Sequence, residues 1–395
     1  MGTLEILNAD CASHLELWLQ LWHLQPEKEI FSHPEFVKLF CRPGDFALCA
    51  YLEISDMVVM FPFILKPLSK EKWAGERCQY YDIASPHGYG GLSYSCKNKL
   101  KYLPRKIAEI FWQAFDEWAA INRVVTCFVR FSPYSCHADA FSGNMEEVSP
   151  HVYRSLDAGL PDIWNSFAHK VRTNIRRAVR NGLRVEIDSC GKRIEEFKRI
   201  YYATMDRKSA QQKYYFSEDF FSAVVKKLNG KYLFFHTLYA NKVVSTELIL
   251  VSDKHMYSFL GGTEKEALRL YPNEIIKAAA IRWGIENGKK MYMLGGGYNN
   301  QCDNLFRYKK AFAPDGINLA LIGKKVYDEA VYWNLYAMRS QYELKMGNAI
   351  ELGNGFFPIY RNPAVQTQSN SSEVCGDDYQ SRENNPIGFD YVPNY

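Results

Sequence analysis

The stretch NEIIKAAAIRWGIENGKKMYMLGGG, residues 273–297, decides the fold. Apolar residues recur at helical spacing over 273–287, and Gly288 supplies the stop that ends such a helix. Residues 290–294 then read as a short buried strand running into Gly295, Gly296 and Gly297. A helix feeding a buried strand is the unit of an α/β protein with a mixed sheet. Tripled glycine permits positive φ and lets a ligand approach the backbone; it equally suits a tight structural turn.

Upstream, residues 231–240 and 242–251 read as strands joined at Ala240-Asn241, with a third strand over 255–260. In VVSTELILV (243–251) one carboxylate, Glu247, sits among apolar residues. Strand alternation places Ser245, Glu247 and Ile249 on one face. A carboxylate so placed is expected to hold its proton more tightly than usual, which suits a general base for an amine. The other reading is an edge carboxylate in water, or one paired with an arginine. Helices are expected over 194–208 and 217–229, the second with Ser217 as its N-cap.

Further upstream, LPDIWNSFAHKVRTNIRRAVRNGLRVE (160–186) reads as a helix over 160–181 closed by Gly182, then a strand over 183–187. No acid lies between Asp162 and Glu186. Arg172, Arg176 and Arg180 fall at i, i+4 and i+8 on one face, with Trp164, Phe167, Val171, Ile175 and Val179 opposite. Like charges so spaced repel, so the array points to a phosphate, a pyrophosphate or an RNA backbone. The bland alternative is a solvated face with acidic partners from elsewhere in the fold.

Downstream of the glycines, Asn299, Asn300 and Asp303 lead into Phe306, Tyr308 and Phe312, interleaved with Arg307, Lys309 and Lys310. Neither GxxxxGK[ST] nor GxGxxG is present, so neither a Walker loop nor a dinucleotide fingerprint is expected.

The first 155 residues repeat the α/β mixture, with helices over 15–24 and 104–121 and strands over 46–51, 57–65 and 123–131. Between them YYDIASPHGYGG (80–91) is a long, aromatic turn region, and Tyr89 within it is a candidate ligand contact. No Ser/His/Asp triad can be assembled.

The 395 residues suggest two domains, with 47% hydrophobic, 23% charged and 15% aromatic residues and a net charge of +4. That balance excludes disordered, collagen-like and coiled-coil chains. The longest apolar run, 57–65, contains Pro62 and is far short of the roughly 20 residues of a membrane span. The N-terminus MGTLEILNAD does not read as a signal peptide, so a cytoplasmic protein is expected. The ten cysteines include no CxxC pair, so free thiols and no metal centre are expected. From Val365 the patterning stops. Residues 363–395 read as a disordered acidic tail, whose five acids and one base give −4 and leave +8 on the remainder.

The order of these segments resembles the FemAB-like branch of the GNAT acyltransferase superfamily. The stretches that carry it are VRTNIRRAVRNGLRVE (171–186), KVVSTELILVSDKHMYSFLGGT (242–263), residues 273–297 and DNLFRYKKAF (303–312). Tyr308, Lys309, Lys310, Ala311 and Phe312 meet that family's pattern of an aromatic, a lysine, two residues and a phenylalanine. SPHGYGG (85–91) and FFPIYR (356–361) look like its polysaccharide and cell-envelope variant. The resemblance implies two tandem GNAT-like domains, 1–155 and 156–362. It implies an N-acyltransferase acting on an amine of a cell-envelope, peptidoglycan or exopolysaccharide precursor, with acyl-CoA or aminoacyl-tRNA as donor. The acceptor would be a small molecule or a nucleotide-linked sugar, or a lipid-linked precursor met at a membrane surface, and no metal or redox cofactor is needed.

Lys309 takes the family's place at the transfer site; Glu247 and Asp303 join it as catalytic candidates. Arg172, Arg176, Arg180, Tyr89, Tyr308, Gly295, Gly296 and Gly297 are the substrate-binding candidates. One departure stands out. LGGTEKEALRLYPNE (260–274) occupies the place where a GNAT carries a Q/RxxGxG/A loop for the CoA pyrophosphate. There is also no room for the helical arm of some tRNA-dependent members. The competing class is a non-catalytic GNAT-like module that binds a glycan or nucleic acid.

Overall fold

The computed structural model describes residues 2–97, 102–133, 138–298, 301–353 and 355–366. Residues 367–395 of the acidic tail, and Asn299 and Asn300, lie outside the described residues.

Long apolar runs become strands covered on both faces. Strand β1 (Glu5–Asn8) precedes helices α1 (Ala12–His23) and α2 (Pro34–Leu39) and the hairpin β2 (Phe46–Ile54)–β3 (Met57–Pro67). In β2, Leu48, Ala50 and Leu52 join one core, while Ala47, Cys49 and Tyr51 join another under α1 and α2. β4 (Tyr81–Ala84) and β5 (Ser93–Cys96) pair with the two ends of β3. Pro62 falls in the gap between those two pairings, where a strand residue needs only one neighbour. Helix α3 (Arg105–Ile121) then crosses the sheet, and β6 (Val124–Arg130) returns parallel to β4.

After β7 (Asn144–Ser155) the same plan recurs. Helices α4 (Leu160–Ser166) and α5 (His169–Arg180) lead to β8 (Arg184–Asp188), then α6 (Ile194–Arg207) and α7 (Glu218–Lys227). β9 (Tyr232–Tyr239), β10 (Lys242–Val251) and β11 (His255–Thr263) extend an antiparallel array. Helix α8 (Pro272–Glu286) crosses, and β12 (Met291–Gly295) returns parallel to β11. Helix α9 (Asn304–Lys310), β13 (Ile317–Val326), α10 (Glu329–Lys345) and the small pair β14 (Asn348–Ile350) and β15 (Ala364–Gln366) finish the described chain. The expected mixed α/β architecture is what forms, with an antiparallel array closed by a parallel crossover in each half.

Among the described residues the large sheet has 13 strands in the order β1-β2-β3-β4-β6-β13-β7-β12-β11-β10-β9-β8, with β5 beside β3. β7 leaves β6 to lie against β12, and β13 comes back from α9 to lie against β6. The two exchanged strands pair with each other from Ile317↔Val152 to Lys324↔Asn144. No helix among the described residues is long and apolar enough to cross a membrane.

Several expectations need correction. The helix over 160–181 is broken: Phe167 and Ala168 adopt extended ψ angles of 144° and 143°. Val179 faces outward, 57% exposed, and Asn174 takes an inward place with a bond of 2.9 Å to Glu274. β1, β7 and β13 were not expected, and the region 80–91 begins with a strand.

The C-terminal segment returns to the first half. Tyr332 and Leu335 of α10 pack with Leu68, Trp73, Val125 and Tyr360. Arg361 is the anchor: it donates to Asp82 and Glu71, each at 2.6 Å, while Tyr360 and Thr126 donate to the other Asp82 oxygen. The Arg361 and Asp82 side chains are only 4% and 3% exposed. Arg361→Met strands that carboxylate without its cation. We expect a stability loss of about 3–5 kcal/mol in urea unfolding of the full chain; a loss below about 1 kcal/mol would mean the clamp is not formed.

Candidate active site

Parallel pairing of β11 with β12 covers three residues, His255↔Met291 to Tyr257↔Met293. β11 continues to Thr263, while β12 shifts register at its end and stays with β7. A bulge in β11 helps it turn away, since Ile249 pairs with Ser258 and Leu248 with Leu260, leaving Phe259 extra. The splay opens a narrow cleft of about 60 Å³ of water-accessible space, lined by Glu247, Ser258, Phe259, Lys277, Tyr308 and Lys309 among others.

Glu247 faces α8, as strand alternation requires, but it is not isolated. Its Oε1 accepts from Ser258 Oγ at 2.6 Å, Lys277 Nζ at 2.5 Å and Tyr292 Oη at 3.0 Å. Lys277 also donates to Ser258 at 2.8 Å and to Tyr292 at 3.3 Å. Among the described residues Oε2 carries no hydrogen bond. Of the two alternatives open in the sequence, the paired carboxylate is what forms, with a lysine as partner. Burial, and then the neighbouring Glu247, push the Tyr292 phenol far above its usual range.

Helix α9 supplies Leu305, Tyr308 and Lys309 to the cleft lining, and the glycine turn holds Lys309 through the Gly296 carbonyl. Gly295 has φ of +84°, which favours glycine. A Cβ on Gly297 would stand 1.9 Å from the Gln301 carbonyl, and one on Gly296 would stand 3.0 Å from the His151 ring. Asp303 is committed to backbone: Oδ2 accepts from Tyr298 N at 3.2 Å, and Oδ1 from Phe306 N at 2.9 Å as the N-cap of α9. Lys309 is buried and donates to the Gly296 carbonyl at 2.7 Å, whereas Lys310 is exposed. The Tyr308 hydroxyl is buried without a hydrogen-bond partner among the described residues. Burial first, then Glu274 and Glu247, raise its phenol well above the ordinary range.

Tyr89 comes from the first half to the rear of this turn. Its hydroxyl lies 2.7 Å from His151 Nδ1, and the His151 ring adjoins Gly296. The link therefore runs from the 85–91 loop through β7 to the carbonyl that holds Lys309.

The basic helix stands apart from the cleft. Arg176 lies over the Trp164 ring at 5.5 Å, Arg172 donates to the Asn165 carbonyl at 3.2 Å, and Arg180 is exposed. The Arg172 Nε is buried without a partner. Among the described residues none of Arg172, Arg176, Arg177, Arg180 and Arg184 forms an ion pair, so the bland reading lacks its acids. Arg177 reaches Tyr271 Oη at 3.4 Å, at the start of α8.

The segment before α8 is a 3₁₀ turn, Lys265–Leu270, ending on left-handed Tyr271. Gly261 and Gly262 belong to β11 and fit close packing: a Cβ on either would stand 2.7 Å from backbone oxygen of Thr246 or Ile200.

Sequence reasoning missed Lys277, Ser258, Tyr292 and His151. The signal for Lys277 was a lone lysine in IIKAAAI, an otherwise apolar helical stretch.

A family model described as an acetyltransferase (GNAT) domain matches residues 166–310. Over these residues the chain is similar to a GNAT domain. The match spans the splayed strands, α8 and α9. No curated protein matches the chain in sequence. Among solved structures, FemX is similar at 12% identity over 81% of this chain and 98% of its own, with a TM-score of 0.61. A conserved protein of unknown function from Bacteroides thetaiotaomicron is 11% identical over 82% and 100%, with a TM-score of 0.52. The C-terminal domain of a putative lysylphosphatidylglycerol synthetase from Agrobacterium fabrum is 12% identical over 85% and 96%, with a TM-score of 0.50. At these identities the likeness is one of fold, and the fold is FemX-like.

Gly297→Ala should loosen the turn that holds Lys309, costing about 1–3 kcal/mol in thermal unfolding; a melting curve like the parent's would mean the turn accommodates a side chain. The Arg176→Gln/Arg180→Gln variant should keep its melting temperature, because exposed charges contribute about 0–1 kcal/mol. It should weaken phosphate-bearing ligands and flatten their salt dependence in titration calorimetry. Unchanged binding would return α5 to a solvated surface.

Proposed function

We propose that this chain is an N-acyltransferase of the FemAB-like GNAT type. It would move an acyl or aminoacyl group to an amine on a cell-envelope, peptidoglycan or exopolysaccharide precursor. The observation that carries the reading is Glu247, held through one oxygen by three donors in the wall of the GNAT cleft, with Lys309 in that cleft too.

Glu247 Oε2 takes the proton as the amine attacks the donor carbonyl. The C–N bond forms, and the carbonyl electron pair moves onto oxygen. Lys309, anchored by Gly296, places positive charge where that oxyanion develops. Collapse breaks the bond to the thiolate of an acyl-CoA or the ribose oxygen of an aminoacyl-tRNA, and the leaving group takes up a proton. Unpaired arginines on α5 suit a phosphate-rich donor of either kind. Asp303 has a supporting part, fixing the turn and the start of α9. The acceptor would be an amino sugar, free, nucleotide-linked or lipid-linked at a membrane surface, with Tyr89 and Tyr308 in its surroundings.

A second reading, a non-catalytic module for glycan or nucleic acid, draws on the unpaired arginines and on the missing glycine-rich donor loop. Thermal shift separates the two: stabilisation by RNA with a steep salt slope, and none by acetyl-CoA, supports the binding module.

The test of the leading reading is turnover of the full chain with a panel of acyl-CoAs, charged tRNAs and amino-sugar nucleotides. Lys309→Met keeps the stem and deletes the charge. Its turnover should fall about a hundredfold or more, equivalent to roughly 3–4 kcal/mol in the barrier. Lys310→Met, changed on the exposed side of α9, should keep parental turnover. Normal turnover by Lys309→Met, or equal loss in both through unfolding, removes the assignment.

A further inference from the structure

We infer that Lys277 is the positioning residue of this site, acting on the substrate only through Glu247; this rests on the acyltransferase reading above. Lys277 rises from α8, the helix that joins the two strands whose splay makes the cleft. Its ammonium ties both of them, and their neighbour β10, at the point of divergence: β10 through Glu247, β11 through Ser258 and β12 through Tyr292. The residue is 7% exposed, on a helix whose other inward side chains include Ile276, Ala280 and Ile281.

A buried ion pair is a poor device for stability alone. Desolvation offsets most of its attraction, and apolar residues of similar volume commonly serve as well. This pair earns another explanation from its place. A carboxylate in a dry cleft without a cation takes up a proton and ceases to be a base. Lys277 supplies the cation, and with Ser258 and Tyr292 it spends all three bonds on Oε1. Oε2 is thereby the oxygen left for the amine. Tyr308 and Lys309 on α9 and Glu274 one turn earlier on α8 are the other ionisable groups about the cleft, and none hydrogen-bonds Glu247.

The experiment is a double-mutant cycle on the full chain with Lys277→Met, Glu247→Gln and both together, read by melting without ligand and by steady-state kinetics. Lys277→Met should lower kcat about a hundredfold while KM stays within about threefold, as should Glu247→Gln. The double variant should lose no more than the worse single one, because the two act as a unit. In melting, Lys277→Met should unfold at a lower temperature than the parent, and the double variant above Lys277→Met, since it no longer buries an unpaired carboxylate. Parental kcat in Lys277→Met, losses that multiply, or a double variant melting no higher than Lys277→Met would each overturn the inference. Failure of the acyltransferase reading looks different: the parent itself turns over no donor and acceptor pair, and the assignment of Lys277 to a base falls with it.

Discussion

The exchange of β7 and β13 governs this molecule. Each strand leaves the half it follows in sequence and hydrogen-bonds to the other half, and the two then pair along eight registered positions. Pulling the two sequence halves apart would break three ladders at once and leave unpaired strand edges, which proteins avoid. The cleft therefore stands on one continuous sheet, and the first half is part of its foundation. The GNAT match at 166–310 contains β12 but neither exchanged strand. Its terminal pairing partner comes from residues 144–155, outside the matched segment. The N-terminal segment adds further ties, with Glu29 held by Tyr257 at 2.7 Å and by His255, and Lys28 by Asp253 at 2.8 Å.

Helices and hairpins with local signals were legible in the sequence. The strand pair ending at Val251, the cap at Ser217 and the unit from 272 to 295 form close to where periodicity puts them. The strands that join the halves were not. β7 reads NMEEVSPHVYRS, with two adjacent acids and an internal proline, so alternation is lost. What makes it a strand is its neighbours on both sides, and a tertiary cause of that kind leaves no local pattern. The broken helix at Phe167 has a similar origin: Ala168 N bonds to the Ala311 carbonyl, at the end of α9, more than a hundred residues away.

At the site, residue types were more readable than partnerships. Lys309 and Glu247 line one cleft, as a reader of the two motifs could hope. Asp303 turned out to spend both oxygens on backbone amides, a common use of aspartate before a helix. The arginines at i, i+4 and i+8 do not act as one row. Arg172 and Arg176 lean on α4, and the break before α5 is what brings Trp164 and Asn165 within their reach.

The charge arithmetic of the cleft follows from these partnerships. Two lysines, Lys277 and Lys309, and one carboxylate, Glu247, line the same narrow space. Tyr308 and Tyr292 add no negative charge, because burial holds both phenols protonated. Lys277 and Glu247 cancel locally, across 2.5 Å. Lys309 adds a second ammonium to that lining, and it donates to the neutral Gly296 carbonyl. A carbonyl orients an ammonium without neutralising it. In a space with little water such a charge is weakly screened, so it favours a ligand that is anionic or becomes so. A tetrahedral intermediate of acyl transfer is a group that becomes so, and a neutral amide product is released from the same field more readily than the oxyanion that precedes it.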